Sequence, residues 1–323
     1  MDKQRILIMH QGAIGDLILS LPSLYSLREK YSEAHFEVMG YPYILSLIYK
    51  RFYADAIVSV DRAGVAALYN DDGCLNEELL RYLCQFKKAF IFGGNTQEVV
   101  IKNIKQIKGG PEVYPIKTFP GSTDMHVTDF QLSQLGMLGF DNQHIPPKVY
   151  LRTEDISQAQ QLLHQQQVDM KNNPIVAVHT GSGSKDKNWP LKNYVSLLKS
   201  LYQKNRGTVL VVEGPAEKNT TADLSEALDG IAYITLQSLA LPLLAAVLSR
   251  CDLFIGNDSG ITHLAAALGV PTIVLFGPTE PRVWGPRGSR VYIVRGDLDN
   301  GSGWKWASTD AVLKVALDLC NKS

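Results

Sequence analysis

Apolar residues in this chain fall into short unbroken runs separated by longer stretches of helical spacing, and the plan occurs twice. Arg5–Met9, Phe36–Met39, Ile57–Val60 and Ala89–Phe92 form the first series; Ile175–Val178, Val209–Val212, Leu253–Ile255 and Thr272–Phe276 form the second. Unbroken rather than alternating runs fit strands covered on both faces, as in a parallel sheet flanked by helices. Asp16–Tyr31 carries Leu17, Leu21, Leu24 and Leu27 at helical spacing, and Tyr194–Tyr202, Ala216–Leu228 and Leu241–Arg250 read as helices of the second half. The pattern predicts an α/β chain of two domains with parallel sheets, residues 1–155 and 174–300. Between them, about Leu151–Asn173, lies a hinge with a Gln-rich helix (Ser157–Gln167), whose interleaved Leu162 and Leu163 mark a solvated helix face rather than low complexity. Such sheets bind ligands beyond the carboxyl ends of their strands. Two of them facing each other would place a site in a central cleft.

Composition narrows the class only a little. The 323 residues suffice for two domains, each with its own core. Lys and Arg number 32 and Asp and Glu 32, which argues against a dedicated nucleic-acid binder. No apolar run approaches the length of a membrane span, and Ile6–Met9 is too short for a signal peptide. Cys74, Cys84, Cys251 and Cys320 lack metal-type or CxxC spacing, so they read as reduced thiols of a cytoplasmic protein.

Chemistry concentrates at the strand ends. Gly256-Asn257-Asp258-Ser259-Gly260-Ile261-Thr262-His263 joins an apolar strand to a helix (Leu264–Leu268) stopped by Gly269 and Pro271. It delivers Asp258, Ser259 and Gly260 to a helix N-terminus, where unpaired N–H groups and the helix dipole favour phosphate. Ser259 and Thr262 can cap that helix or bind an anion; an ordinary capped helix is an equal reading. His179-Thr180-Gly181-Ser182-Gly183-Ser184, then Lys185 to Pro190, is a Gly/Ser loop with lysine that suits phosphate but lacks Walker A spacing. Glu213-Gly214-Pro215-Ala216-Glu217 offers an acid to a ribose or to a helix dipole, and Phe276-Gly277-Pro278-Thr279-Glu280-Pro281 closes another strand. In the first half, His10-Gln11-Gly12-Ala13-Ile14-Gly15-Asp16 is not the dinucleotide fingerprint. Asp16 there reads as an N-cap or as a catalytic carboxylate, and spacing alone favours the cap. No Asp, Glu or His cluster near these loops has ligand spacing, and His126, His144 and His164 are dispersed, so no metal and no cofactor are expected.

Together these segments resemble glycosyltransferase family 9, the ADP-heptose:lipopolysaccharide heptosyltransferases. The resemblance rests on Gly12-Ala13-Ile14-Gly15-Asp16 with Leu21-Pro22, Gly181-Ser182 with Lys187-Asn188-Trp189-Pro190, Gly214-Pro215-Ala216-Glu217, Asn257 to Leu264, and Phe276 to Pro281 with Gly285-Pro286. It implies a GT-B architecture of two Rossmann-like domains, with the acceptor mainly on the first, the nucleotide-sugar on the second, and the last helix, 308–321, packed back on the first. It implies an inverting, metal-free transfer of heptose from an ADP-heptose donor to a lipopolysaccharide-core or lipid-linked glycan. The enzyme would be cytoplasmic, with peripheral contact at the inner membrane and no transmembrane segment. Asp16 matches the family's catalytic base, reversing the preference from spacing. Lys187 matches the phosphate-binding lysine and Glu217 the ribose-contacting acid. Asp258, Ser259, Gly260, Thr262 and His263 match donor contacts, with Ser182 and Ser184 in the phosphate loop and Gly12, Ala13 and Gly15 in the acceptor-side loop.

The chain also departs from the family. His10 stands where an arginine or lysine is common, and Asp297 to Trp306 replaces a cysteine-rich segment of some members. The first half has no marked basic excess for gripping an anionic core, since Lys102, Lys105 and Lys108 read as a solvated helix face. Three competing readings stand beside the heptosyltransferase. They are a same-fold transferase with another nucleotide-sugar or acceptor, a catalytically idle nucleotide-sugar-binding protein, and an NAD-dependent oxidoreductase, which the missing fingerprint disfavours.

Overall fold

A computed structural model describes residues 3–71, 74–94, 97–121, 124–141, 145–170, 173–205, 207–214, 224, 227–228, 230–231, 233–298 and 304–320. The chain divides into two units, Met1–Tyr150 and Leu151–Ser323. In the first, β1 (Arg5–His10), β2 (His35–Gly40), β3 (Ala56–Ser59), β4 (Lys88–Gly93) and β5 (Glu112–Lys117) form an all-parallel sheet in the order β3-β2-β1-β4-β5. Its helices are α1 (Ile14–Lys30), α2 (Pro42–Leu45), α3 (Glu77–Leu83), α4 (Glu98–Lys105) and α5 (Val127–Met137).

The second unit begins with α6 (Thr153–Gln165), followed by β6 (Ile175–His179), α7 (Leu191–Asn205), β7 (Thr208–Glu213) and β8 (Tyr233–Gln237). Then come α8 (Leu241–Leu248), β9 (Leu253–Asn257), α9 (Gly260–Ala267), β10 (Thr272–Phe276), α10 (Pro281–Trp284), β11 (Val291–Arg295) and α11 (Thr309–Cys320). Its parallel sheet runs β8-β7-β6-β9-β10-β11, the dinucleotide-fold order counted outward from β6.

The inner strands β6, β9 and β10 are buried along their whole length, as their unbroken apolar runs require, and β1 is buried from Ile6 onward. Helix α1 continues through Pro22, which has no N–H to offer the carbonyl of Ile18. One residue on, Thr128 Oγ1 donates to Leu19 O at 3.0 Å and ties α5 to this stretch.

Two expectations about the domains are corrected. The Gln-rich helix is not a hinge: α6 packs on α8 of the second unit and buries Ala159 and Leu163, while its glutamines face solvent. The last helix was expected on the first domain, but α11 is built into the core of the second. Val312, Ala316 and Leu319 pack there with Leu197, Leu198 and Leu201 of α7. An amphipathic stripe records that a helix is covered, not which core covers it. The helix expected at 216–228 lies largely outside the described residues.

Candidate active site

The strand order of the second sheet reverses between β6 and β9, and ligands of open α/β sheets sit outside the carboxyl ends at that point. The loops leaving β6 and β9 are held together by Asn257, which is wholly buried. Its Oδ1 accepts the Trp189 N–H at 2.9 Å and the Tyr194 hydroxyl at 3.1 Å. Its Nδ2 donates to Thr180 O at 2.8 Å. One amide thus fixes both ends of the Gly181–Asn188 loop. Trp189, also buried, anchors the exit of that loop by donating Nε1–H to Ala307 O at 2.9 Å.

The loop so held carries Lys187 to Asp258, where Nζ donates to Oδ2 at 2.8 Å. Thr279 Oγ1 donates to the same oxygen at 2.8 Å, and His263 Nε2 lies 3.9 Å from Oδ1, longer than a hydrogen bond. Asp258 is 7% exposed and Lys187 31%. Burial alone would push the Asp258 carboxyl up, but the His263 ring, the Lys187 ammonium and the Thr279 hydroxyl outweigh it and hold the group at about 2. The carboxylate orients the ammonium, which keeps two further N–H donors.

Ser259 is the N-cap of α9, and its Oγ accepts the Thr262 N–H at 3.4 Å. Thr262 Oγ1 turns back to Asn257 O at 2.6 Å, a position only Gly256 allows, since a Cβ there would sit 2.6 Å from that hydroxyl. The N–H groups of Gly260 and Ile261, both partly exposed, lie in the first turn with no i−4 carbonyl in the helix. Lys187, Asp258, Ser259, Gly260, Thr262 and His263 therefore meet at one strand-end crevice. Ser182 lies in the same loop, with Oγ 2.7 Å from Asn188 Oδ1 and 2.6 Å from Ser184 O, whereas the Ser184 side chain is exposed. Glu217 lies outside the described residues. Glu213 at the end of β7 is described; it is buried, and both carboxylate oxygens accept from Gln237 Nε2 at 3.1 and 3.0 Å.

In the first unit the corresponding reversal lies between β1 and β4. Ala13, not Asp16, is the N-cap of α1; Asp16 is at N3, and its Oδ2 accepts the Ala13 N–H at 2.9 Å. That corrects the cap expected from spacing, because a carboxylate at N3 reaches back as the reciprocal half of a capping box. Gly15 lies in the first turn, and Gly12 has no room for a side chain, since its Cβ would fall 2.5 Å from Asp16 Cβ.

His10 is buried and neutral, with burial lowering its ring to about 4. Its Nδ1 accepts the Gly12 N–H at 3.4 Å and its Nε2 lies 3.1 Å from Ser20 Oγ, which donates to Asp16 O at 2.8 Å. With Nδ1 accepting, the ring proton belongs on Nε2, and the relay fixes the loop before α1 without adding a charge. Asn257, Thr279, Ser20 and Glu213 were not among the residues expected at the site. Of these, Asn257, Thr279 and Glu213 lie in strand-end segments that the sequence singles out, without a role of their own there.

Burial lowers His179 to about 4 as well. Below pH 6.5 the unfolded chain takes up protons that buried His10 and His179 refuse, so stability is full above 6.5. It falls as pH drops from 6.5 to 4, by up to about 1.4 kcal/mol per pH unit for each ring. Asp258 adds a second loss, from its ordinary 3.8 down to about 2. Urea midpoints should therefore be level at pH 7 to 8 and decline from 6.5 to 4; a flat profile across that window would contradict two neutral buried rings.

The sequence profile of glycosyltransferase family 9 (heptosyltransferase) matches residues 125–309, more than half of the chain and nearly all of the second unit. The chain is 31% identical over 116 residues to Escherichia coli lipopolysaccharide heptosyltransferase 1, covering 36% of this chain and 35% of that one. It is 26% identical over 207 residues to Haemophilus influenzae lipooligosaccharide heptosyltransferase 2, covering 57% and 60%. The matched stretches thus span between about a third and three fifths of these relatives. Among solved structures, a family 9 glycosyltransferase from Veillonella parvula superposes with a TM-score of 0.83 at 20% identity, covering 100% and 99% of the two chains. An E. coli heptosyltransferase solved with ADP gives 0.70 at 16% identity, covering 98% and 100%. The expected fold class, two parallel-sheet Rossmann-like domains of the GT-B type, is borne out.

Proposed function

The chain belongs to glycosyltransferase family 9, the heptosyltransferases, and from that premise we propose that it moves a heptose, with inversion, from ADP-heptose to a lipopolysaccharide-core or related glycan. The observation that carries this reading is the Lys187–Asp258 pair at the switch point, beside the first-turn N–H groups of α9 that have no carbonyl partner within the helix. A diphosphate seated there would meet a mobile cation and a helix N-terminus together. ADP in the solved E. coli enzyme supports the choice of nucleotide.

In the proposed reaction an acceptor hydroxyl attacks C1 of the heptose opposite the diphosphate, and its proton passes to the Asp16 carboxylate. The new C1–O bond forms as the bond from C1 to the phosphate oxygen breaks, and that electron pair leaves with ADP. Lys187 and the start of α9 stabilise the charge gained by the leaving group, which removes the need for a metal ion. Glu217 is assigned to the donor ribose. The acceptor is glycan or lipid-linked, met at the cytoplasmic face of a membrane; among the described residues no helix is long and apolar enough to cross one.

ADP release from ADP-heptose in excess chelator tests both donor and mechanism. Most activity should remain; complete loss restored by magnesium or manganese would assign the leaving-group charge to a cation. A melting-temperature rise with UDP- or GDP-sugars and none with ADP-heptose would favour the same-fold transferase with another donor.

A further inference from the structure

We infer that the acceptor group bound beside Asp16 is a neutral, hydroxyl-bearing sugar, read by Gln11, Tyr69 and Gln97. The inference rests on the transferase reading above and concerns its acceptor side. Gln11 follows β1 and Gln97 follows β4, the two strands that flank the reversal in the first sheet, and Tyr69 ends a short turn of 3-10 helix, Val65–Tyr69. Gln11 Nε2 donates to Tyr69 Oη, and Gln11 Oε1 accepts from Gln97 Nε2 at 3.4 Å. Because Tyr69 accepts through its oxygen, its own proton is left to donate. Gln97 is 7% exposed, and its Oε1 has no hydrogen-bond partner among the described residues. Tyr41, which follows β2, is 44% exposed and offers a phenol ring at the same strand ends.

Charge is what decides the class. Residues 11–27, 41–49 and 93–97 contain no Lys or Arg, and Asp16 is their one acidic residue. Arg62, after β3, is held by Glu78 at 2.7 Å, and Lys117 ends the outer strand β5, with β4 between it and β1. His10, which ends β1 before this loop, is buried among neutral partners. In these segments of the first unit an anionic acceptor would meet the Asp16 carboxylate and no cation, whereas amides and phenols supply both donors and acceptors to hydroxyls.

Matched probes test this on the full chain saturated with ADP. Methyl galactoside is compared with methyl galacturonoside, and methyl glucoside with methyl glucuronoside, by saturation-transfer NMR at low ionic strength. Each neutral member should bind and its acid should bind at least tenfold more weakly. Tyr69→Phe should weaken the neutral probes several-fold while ADP affinity stays unchanged. Acids binding as well as or better than their neutral partners, or no neutral probe binding, would overturn the inference alone. Failure to bind ADP in the same sample would overturn the transferase reading and this inference with it.

Discussion

Replacing Asp16 with Asn is expected to lower turnover by about two or more orders of magnitude, because a general base typically contributes that much. The fold should not notice. At N3 the side chain accepts the Ala13 N–H at 2.9 Å, and the Asn carbonyl oxygen can do so in the same place. ADP affinity should be unchanged, since the proposed diphosphate site lies on the second unit. Asp16→Ala removes the acceptor too and should cost about 1 kcal/mol of stability besides the rate. Turnover and melting temperature measured on one sample separate the roles. A folded Asn variant with near-normal turnover would leave Asp16 as a helix-start residue and nothing more.

The largest loss of stability is expected at Asn257. Asn257→Ala leaves the Trp189 N–H and the Thr180 carbonyl without this partner in a buried setting and reduces the Tyr194 hydroxyl to its 3.3 Å contact with His179 O. At about 1–3 kcal/mol for each group left unpaired, partly relieved by relaxation, a loss of about 3–5 kcal/mol in urea unfolding follows. Because the same amide holds the Lys187 loop, ADP affinity should fall even under conditions where the variant is folded. A loss below about 1 kcal/mol would mean that the loop does not depend on this side chain.

Inner strands were legible; of the outer ones β3 was read, as Ile57–Val60, and β5, β8 and β11 were not. β1, β6, β9 and β10 are covered on both faces and announce themselves as unbroken apolar runs. β5, β8 and β11 went unread because an edge strand is only partly covered: β5 alternates around a single buried Ile116 and tolerates Pro115, and β11 exposes Tyr292 and Ile293. The strand-end loops rich in glycine, serine and lysine were legible as loops because those residues have a local reason to be there. Asn257 was not, since its partners Thr180 and Trp189 lie 77 and 68 residues away and no local pattern encodes that meeting. Asp16 was placed at the right loop and the wrong helix position. The cap is Ala13, a residue with no side-chain acceptor, and the carboxylate three places on makes the bond instead.

The central claim is that the second unit holds a nucleoside diphosphate at Lys187 and the start of α9. Calorimetric titration of ADP into the parent protein and into Lys187→Ala tests it most directly. Lys187 is partly exposed, and Asp258 keeps the Thr279 hydroxyl as a partner without it, so the variant should fold, and loss of one charge-assisted bond of roughly 1.5–3 kcal/mol should weaken ADP by about 10- to 100-fold. Equal dissociation constants for the two proteins would remove Lys187 from the site and contradict the account.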